Sequence, residues 1–287
     1  MEPRAEINCG TAEAAYSAVE AIPGALDSGA LVICDHASNG IPSGYGTLGL
    51  KREALERHIA SDIGAADVSR ALAALIGAPA VLSTFSRLVI DPNRGLDDPT
   101  LVMRYSDGAI VPGNAYIDAA EIARRASQFW APYRERINAT VEAMMATGEP
   151  PALISIHSFT DVWRGFARPW KIGILWDRDD RIAKPLIEAL LAEPDLSAGQ
   201  VGDNEPYDGG LPGDTIDAIA TARGLANALI EIRQDLVGET KGALAWAKRI
   251  ARLLKPILAD RRSRAPPDFG ARARGEADRR GKPSSAT

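Results

Sequence analysis

Hydrophobic positions in this chain fall into two textures that take turns along its length. Short continuous apolar runs bounded by turn-forming residues alternate with longer stretches in which apolar residues recur every three or four positions. The first texture predicts buried strands and the second amphipathic helices. "ALVIC" (30–34), "PAVLSTFSRLVID" (79–91, one or two strands), "ALISIHSF" (152–159), "WKIGILW" (170–176) and "ANALIEIRQDL" (226–236) are the strand candidates. Residues 52–77, 116–148, 182–193, 214–224 and 238–262 carry helical spacing. Gly77 with Pro79, and Gly224, mark helix ends. Pro132 starts or kinks a helix inside 116–148. Gly238 and Glu239 suit a helix start.

Strands separated by helices predict an α/β fold in which a mixed, mostly parallel sheet is covered by helices on both faces. Residues 1–260 have the composition of one such domain. Residues 261–287 are rich in Pro, Gly, Ala and Arg, poor in large apolar side chains, and read as a basic disordered tail. Ligands in open α/β sheets bind beyond the carboxyl ends of the strands. His36, His157 and Glu231 each fall at or near such an end.

Charge and composition narrow the function. The net charge is −5 over 287 residues. The tail holds eight Lys/Arg against three Asp/Glu, which leaves −10 on residues 1–260 and argues against nucleic acid as the main ligand. Two cysteines, Cys9 and Cys34, make no disulfide framework and suit a reducing cytoplasm. The first residues lack the basic and apolar regions of a signal peptide, and no apolar run is long enough to span a bilayer. No glycine-rich phosphate loop is present, and the tryptophans suit packing.

The candidate chemistry follows from residue types. His58 lies in a predicted helix and takes a structural reading, whereas His36 and His157 each follow a strand. Two imidazoles with one oxygen ligand, and a fourth position left to water, make a catalytic zinc site. In "SRLVIDPNR" (86–94), Asp91, Pro92 and Asn93 are turn residues, while the paired Arg87 and Arg94 suit a carboxylate ligand. In "IEIRQD" (230–235), Glu231 and Arg233 point away from Ile230 and Ile232. A buried glutamate there needs an ion-pair partner or serves as a general base.

"CDHASNGIP", "DIGA", "FSRLVIDPNR", "SIHSF", "NEPYDGG" and "IEIRQDL", in that order over roughly residues 30–260, resemble the N-formylglutamate amidohydrolase family. That family is distantly similar to zinc carboxypeptidases and to the succinylglutamate desuccinylase and aspartoacylase enzymes. The resemblance implies a zinc-carboxypeptidase-like fold and a cytoplasmic, zinc-dependent (or other divalent metal) amidohydrolase of amino-acid metabolism, in histidine degradation. Its substrate would be a small acidic N-acyl amino acid, most simply N-formyl-L-glutamate cleaved to formate and L-glutamate, with no nucleic-acid or membrane partner. It further implies His36 and His157 as metal ligands and Glu231 as general base. Asn93 and Arg94 become the carboxylate-binding pair, with Arg94 also able to stabilise charge in the reaction, and Arg87, Tyr207 and Arg233 become substrate contacts. Two departures stand out. The family's His-x-x-Glu is His36-x-x-Asn39, which leaves Asn39 or Asp62 of "SDIGA" as the third ligand; Asp35 points away from His36 on an extended strand. The helix before "EIRQDL" lacks a histidine. Another N-acylated acidic amino acid as substrate, and a non-catalytic metal- or ligand-binding role, are the competing readings.

Overall fold

The structure, a computed structural model, describes residues 16–265. Cys9 and residues 266–287 of the basic tail lie outside them. The strands follow in chain order as β1 (Val19–Ile22), β2 (Ala30–Cys34), β3 (Ala80–Ser83), β4 (Tyr105–Ser106), β5 (Ala109–Ile110), β6 (Ala152–Phe159), β7 (Val162–Trp163), β8 (Phe166–Ala167), β9 (Ile172–Leu175), β10 (Val201–Asp203) and β11 (Asn227–Arg233). The helices are α1 (Arg52–Leu55), α2 (Ala65–Ile76), α3 (Ala119–Arg125), α4 (Ala131–Met145), α5 (Ala183–Leu191) and α6 (Thr240–Ala259). Seven strands form one sheet in the order β1-β3-β2-β6-β11-β9-β10, and β4–β5 and β7–β8 are separate hairpins. The β3–β2–β6–β11 centre is parallel. β1 joins β3 antiparallel, and β9 joins β11 antiparallel before pairing parallel with β10.

Side-chain alternation divides the core in two. Val32, Ile154, Ile156, Ile230 and Ile232 meet α2, α5 and α6 on one face. Leu31, Ile33 and Leu153 meet α4, through Tyr133, Ile137 and Val141, on the other. Both faces are therefore dry, which is why the central strands read as apolar runs rather than alternating ones. Each fully buried Leu, Ile or Val contributes about 1.5–3 kcal/mol of transfer free energy. No helix among the described residues is long and apolar enough to cross a membrane.

Four predicted segments differ in ways that shape the site. The helix expected over 52–77 is broken: α1 ends at Leu55 and α2 starts only at Ala65. Between them Asp62 donates its N–H to the His36 carbonyl, and Gly64 takes φ +80°, where an added Cβ would lie 2.2 Å from the Val237 carbonyl oxygen. The strand expected over 79–91 stops at Ser83. Phe85, Leu88, Val89 and Ile90 remain buried but run through turns, closed by Val89 N–H to Ser86 O and Asp91 N–H to Leu101 O. Residues 214–224 form a π-helical turn (Ile216–Ala220) and a 3-10 turn rather than an α-helix, although Gly224 caps them in the left-handed region as expected. Finally, residues 261–265, grouped by composition with the tail, pack on the body. Arg264 is buried, donates from Nε to Leu258 O at 3.0 Å and pairs with Glu149 at 3.2 Å.

Candidate active site

The carboxyl ends of β2, β6 and β11 bring the informative residues together. On β6 the positions facing α4 are Leu153, Ser155 and His157. The register sets Ile33 opposite Ser155 and Glu231 opposite His157. One sheet face therefore starts apolar and ends in Asp35, Ser155, His157 and Glu231, all buried. His36 lies just past β2. The break between α1 and α2 delivers Asp62 from the side.

His36, Asp62 and His157 form one buried cluster whose ligating atoms all lie within 4.8 Å of one another. Asp62 Oδ2 is 2.8 Å from His157 Nδ1 and 3.3 Å from His36 Nδ1. The outward nitrogens face different carboxylates. His36 Nε2 is 2.8 Å from Asp91 Oδ1, and His157 Nε2 is 3.1 Å from Asp35 Oδ2 and 3.0 Å from Ser155 Oγ. An imidazole whose far nitrogen is held by a carboxylate keeps its near nitrogen free to ligate a cation. The donor set and the surrounding carboxylates thus fit a divalent metal.

Each carboxylate is itself tethered. Asp35 accepts from Ser155 Oγ and Thr215 Oγ1. Burial alone would raise its pKa, but the hydrogen bond and charge of His157 hold it below the usual range. Asp91 accepts from Arg87 at 2.8 Å and from the Asn93 N–H at 2.9 Å. Arg87 and His36 outweigh the burial of Asp91 and hold it well down. Asp62 is likewise held low against its burial by His36 and His157. His157 is driven well up despite burial, by its bonds to Asp35 and Asp62.

Glu231 behaves oppositely. Burial pushes its carboxyl up to about 7, and Oε2 is buried with no hydrogen-bond partner among the described residues. It lines a cavity of about 400 Å³ that also contains the His36–Asp62–His157 cluster, Arg87, Asn93, Arg94 and Tyr207. That volume suits a small ligand.

The structure also separates residues that the sequence left together. Asn39 is not in the cluster: its side-chain nitrogen donates to Leu55 O at 3.0 Å, and Asp62 is the residue that groups with the two histidines. Arg233 closes on Asp235 through Nε (2.8 Å) and Nη2 (3.1 Å) and does not line the cavity. Arg233 is still paired in β11, opposite Phe159 of β6, but its guanidinium is drawn to Asp235 and to the Arg168 carbonyl. Asn93 accepts from the Thr215 N–H at 3.0 Å. Tyr207 is braced by Arg168, which donates to its hydroxyl at 3.1 Å and lies over its ring. Asp35, Asp91, Thr215 and Arg168 were not assigned these places from sequence. Strand parity (Leu31, Ile33, Asp35) was the available signal for Asp35, and the buried run ahead of Asp91 was the signal there. Nothing local marked Thr215 or Arg168. His58, read as structural, lines the cavity edge-on to Trp163.

Comparison with known proteins settles the family. The family model described as N-formylglutamate amidohydrolase matches residues 28–237. The chain belongs to the N-formylglutamate amidohydrolase family. Family membership makes it a hydrolase of the amidohydrolase type. A solved structure of a gene product from Agrobacterium tumefaciens is 35% identical, with TM-score 0.79, over 86% of this chain and 97% of that one. The crystal structure of N-formylglutamate amidohydrolase from Ralstonia eutropha JMP134 is 21% identical, with TM-score 0.66, over 86% and 99%, a likeness of fold. No curated protein matches the chain.

Proposed function

We propose that this protein hydrolyses the amide bond of an N-acyl amino acid with the help of a divalent cation, zinc by its donor set, held by His36, Asp62 and His157. The family's own substrate, N-formyl-L-glutamate, is the reference compound. One observation carries the proposal. A buried carboxylate, Glu231, with one oxygen unpartnered among the described residues, stands beside His157 of the His36–Asp62–His157 cluster in the same cavity. A binding protein has no use for that arrangement.

The cation, when bound, supplies Lewis acidity toward the amide carbonyl and acidifies water. Glu231 takes the proton from the attacking water and delivers it to the departing nitrogen, so that a carboxylic acid and a free amine result. Its pKa near 7 suits both directions of transfer at neutral pH. Arg94 and the amide of Asn93 hold the substrate carboxylate. Arg87 acts through others: it holds Asp91, which orients His36, and reaches Asp62 at 3.6 Å.

The test is metal analysis of the purified protein together with formate release from a panel of N-formyl amino acids, with and without chelator. About one zinc per chain and chelator-sensitive release from at least one member are expected. Bound metal with no release from any member would overturn the hydrolase reading.

A further inference from the structure

His36 and His157 are joined twice. The short link is Asp62, whose Oδ2 faces both Nδ1 atoms. The long link runs behind the rings. His36 Nε2 lies 2.8 Å from Asp91 Oδ1, and the same oxygen accepts the Asn93 N–H at 2.9 Å. The Asn93 side-chain oxygen accepts the Thr215 N–H at 3.0 Å. The Thr215 hydroxyl donates to Asp35 Oδ1 at 2.5 Å, and Asp35 Oδ2 lies 3.1 Å from His157 Nε2. The path closes on itself, and every residue on it is buried.

Each bond on the long link constrains the next. A backbone N–H can only donate, so the Asn93 atom that Thr215 meets is the amide oxygen, and the amide nitrogen is left over. Asn93 lines the cavity, and its Nδ2 has no hydrogen-bond partner among the described residues. That nitrogen is the donor offered to a ligand. The Thr215 hydroxyl has a second acceptor within reach, Pro92 O at 3.3 Å, but that carbonyl already takes the Arg134 guanidinium. Asp35 is thus the better partner. The Asn93 side chain bonds to neither histidine; it reaches His157 only through Thr215 and Asp35. Hydrogen bonds in series polarise one another in a dry interior, so a carboxylate drawn to Nδ2 strengthens the oxygen's hold on Thr215.

Resting on the metal-assisted hydrolase reading above, we infer that Thr215 is a positioning residue. It ties the Asn93 amide, which faces substrate, to Asp35, which holds His157, so that the carboxylate subsite and the cation site support one another. Such support is reciprocal. Removing the Asn93 side chain therefore weakens metal binding, although Asn93 lies outside the donor set.

The experiment measures zinc affinity by chelator competition on the full-length protein, with no substrate present. Thr215→Val removes the hydroxyl, keeps the backbone N–H, and should weaken zinc about tenfold. Asn93→Ala should weaken it about three- to tenfold. The double variant should lose about as much as the weaker-binding single variant, because both substitutions cut one path. Thr215→Ser keeps the hydroxyl and Asn93→Asp keeps the acceptor oxygen, so each should bind zinc within about threefold of the parent, or tighter. Urea unfolding of the zinc-free proteins verifies that each variant is folded. Parental zinc affinity in Asn93→Ala, losses that multiply in the double variant, or a Thr215→Ser protein as weak as Thr215→Val overturns the inference. None of these measurements needs turnover. A parent that binds zinc yet releases no formate from the N-formyl panel removes the hydrolase reading alone.

Discussion

Glu231→Gln separates stability from chemistry in a single substitution. The carboxyl is buried, lacks a partner on Oε2 among the described residues, and has its pKa raised from 4.5 to about 7. That gap corresponds to about 3 kcal/mol. The folded state holds the proton more tightly than the unfolded chain, so the contribution is fully present below pH 4.5 and is lost as pH rises through about 7. Glutamine keeps the shape and never ionises. In metal-free protein, urea unfolding at pH 9 should therefore show the variant more stable than the parent by about 3 kcal/mol. At pH 5 the two should agree within about 1 kcal/mol. Turnover of the zinc-loaded variant should fall about 10²–10⁴-fold. Equal stability at pH 9 would mean that the charge is compensated and the pocket wetter than described. Wild-type turnover would remove Glu231 from the reaction.

Other consequences are equally direct. Asp62→Asn should abolish tight zinc binding in chelator competition, Asp35→Asn should weaken it about 10–100-fold through His157, and Asn39→Ala should leave it unchanged. Gly64→Ala must enter the left-handed region and press on the Val237 carbonyl; it should cost about 2 kcal/mol or more in denaturant unfolding and lower zinc affinity, because Asp62 lies two residues away. Arg264→Ala removes buried bonds to Leu258 O and Glu149 and should cost about 1–3 kcal/mol, a loss that would be absent if residues 261–265 were loose.

The parts of the architecture that lie in central strands were legible, because a strand dry on both faces leaves a continuous apolar run and a fixed parity. β6 runs over the predicted residues, and β11 and α6 lie inside the predicted segments. The short edge strands β1 and β10 escaped notice because four or three residues carry too little pattern, and their pairing partners are distant in sequence. The helix over 52–77 misled for an instructive reason. Its apolar spacing is genuine in α2, but the residues before it serve the site: Asp62 bonds the His36 backbone and the cluster, and a helix there would hold it away. The same competition explains Asp91, whose turn-forming chemistry is visible while its contact with His36, 55 residues back, is not.

The sheet face that holds Ser155, His157, Leu229 and Glu231 works as a ruler. Its graduations are two residues, about 6.5 Å, because only every second side chain faces the cavity. Leu229 and Glu231 both line that cavity, one graduation apart. A carboxylate transplanted from 231 to 229 would keep its direction and its enclosure, yet arrive a full graduation short of His157. The position of the reactive group is thus quantised by the pleat: a misplaced base could not be nudged back by loop adjustment, only moved by a whole step.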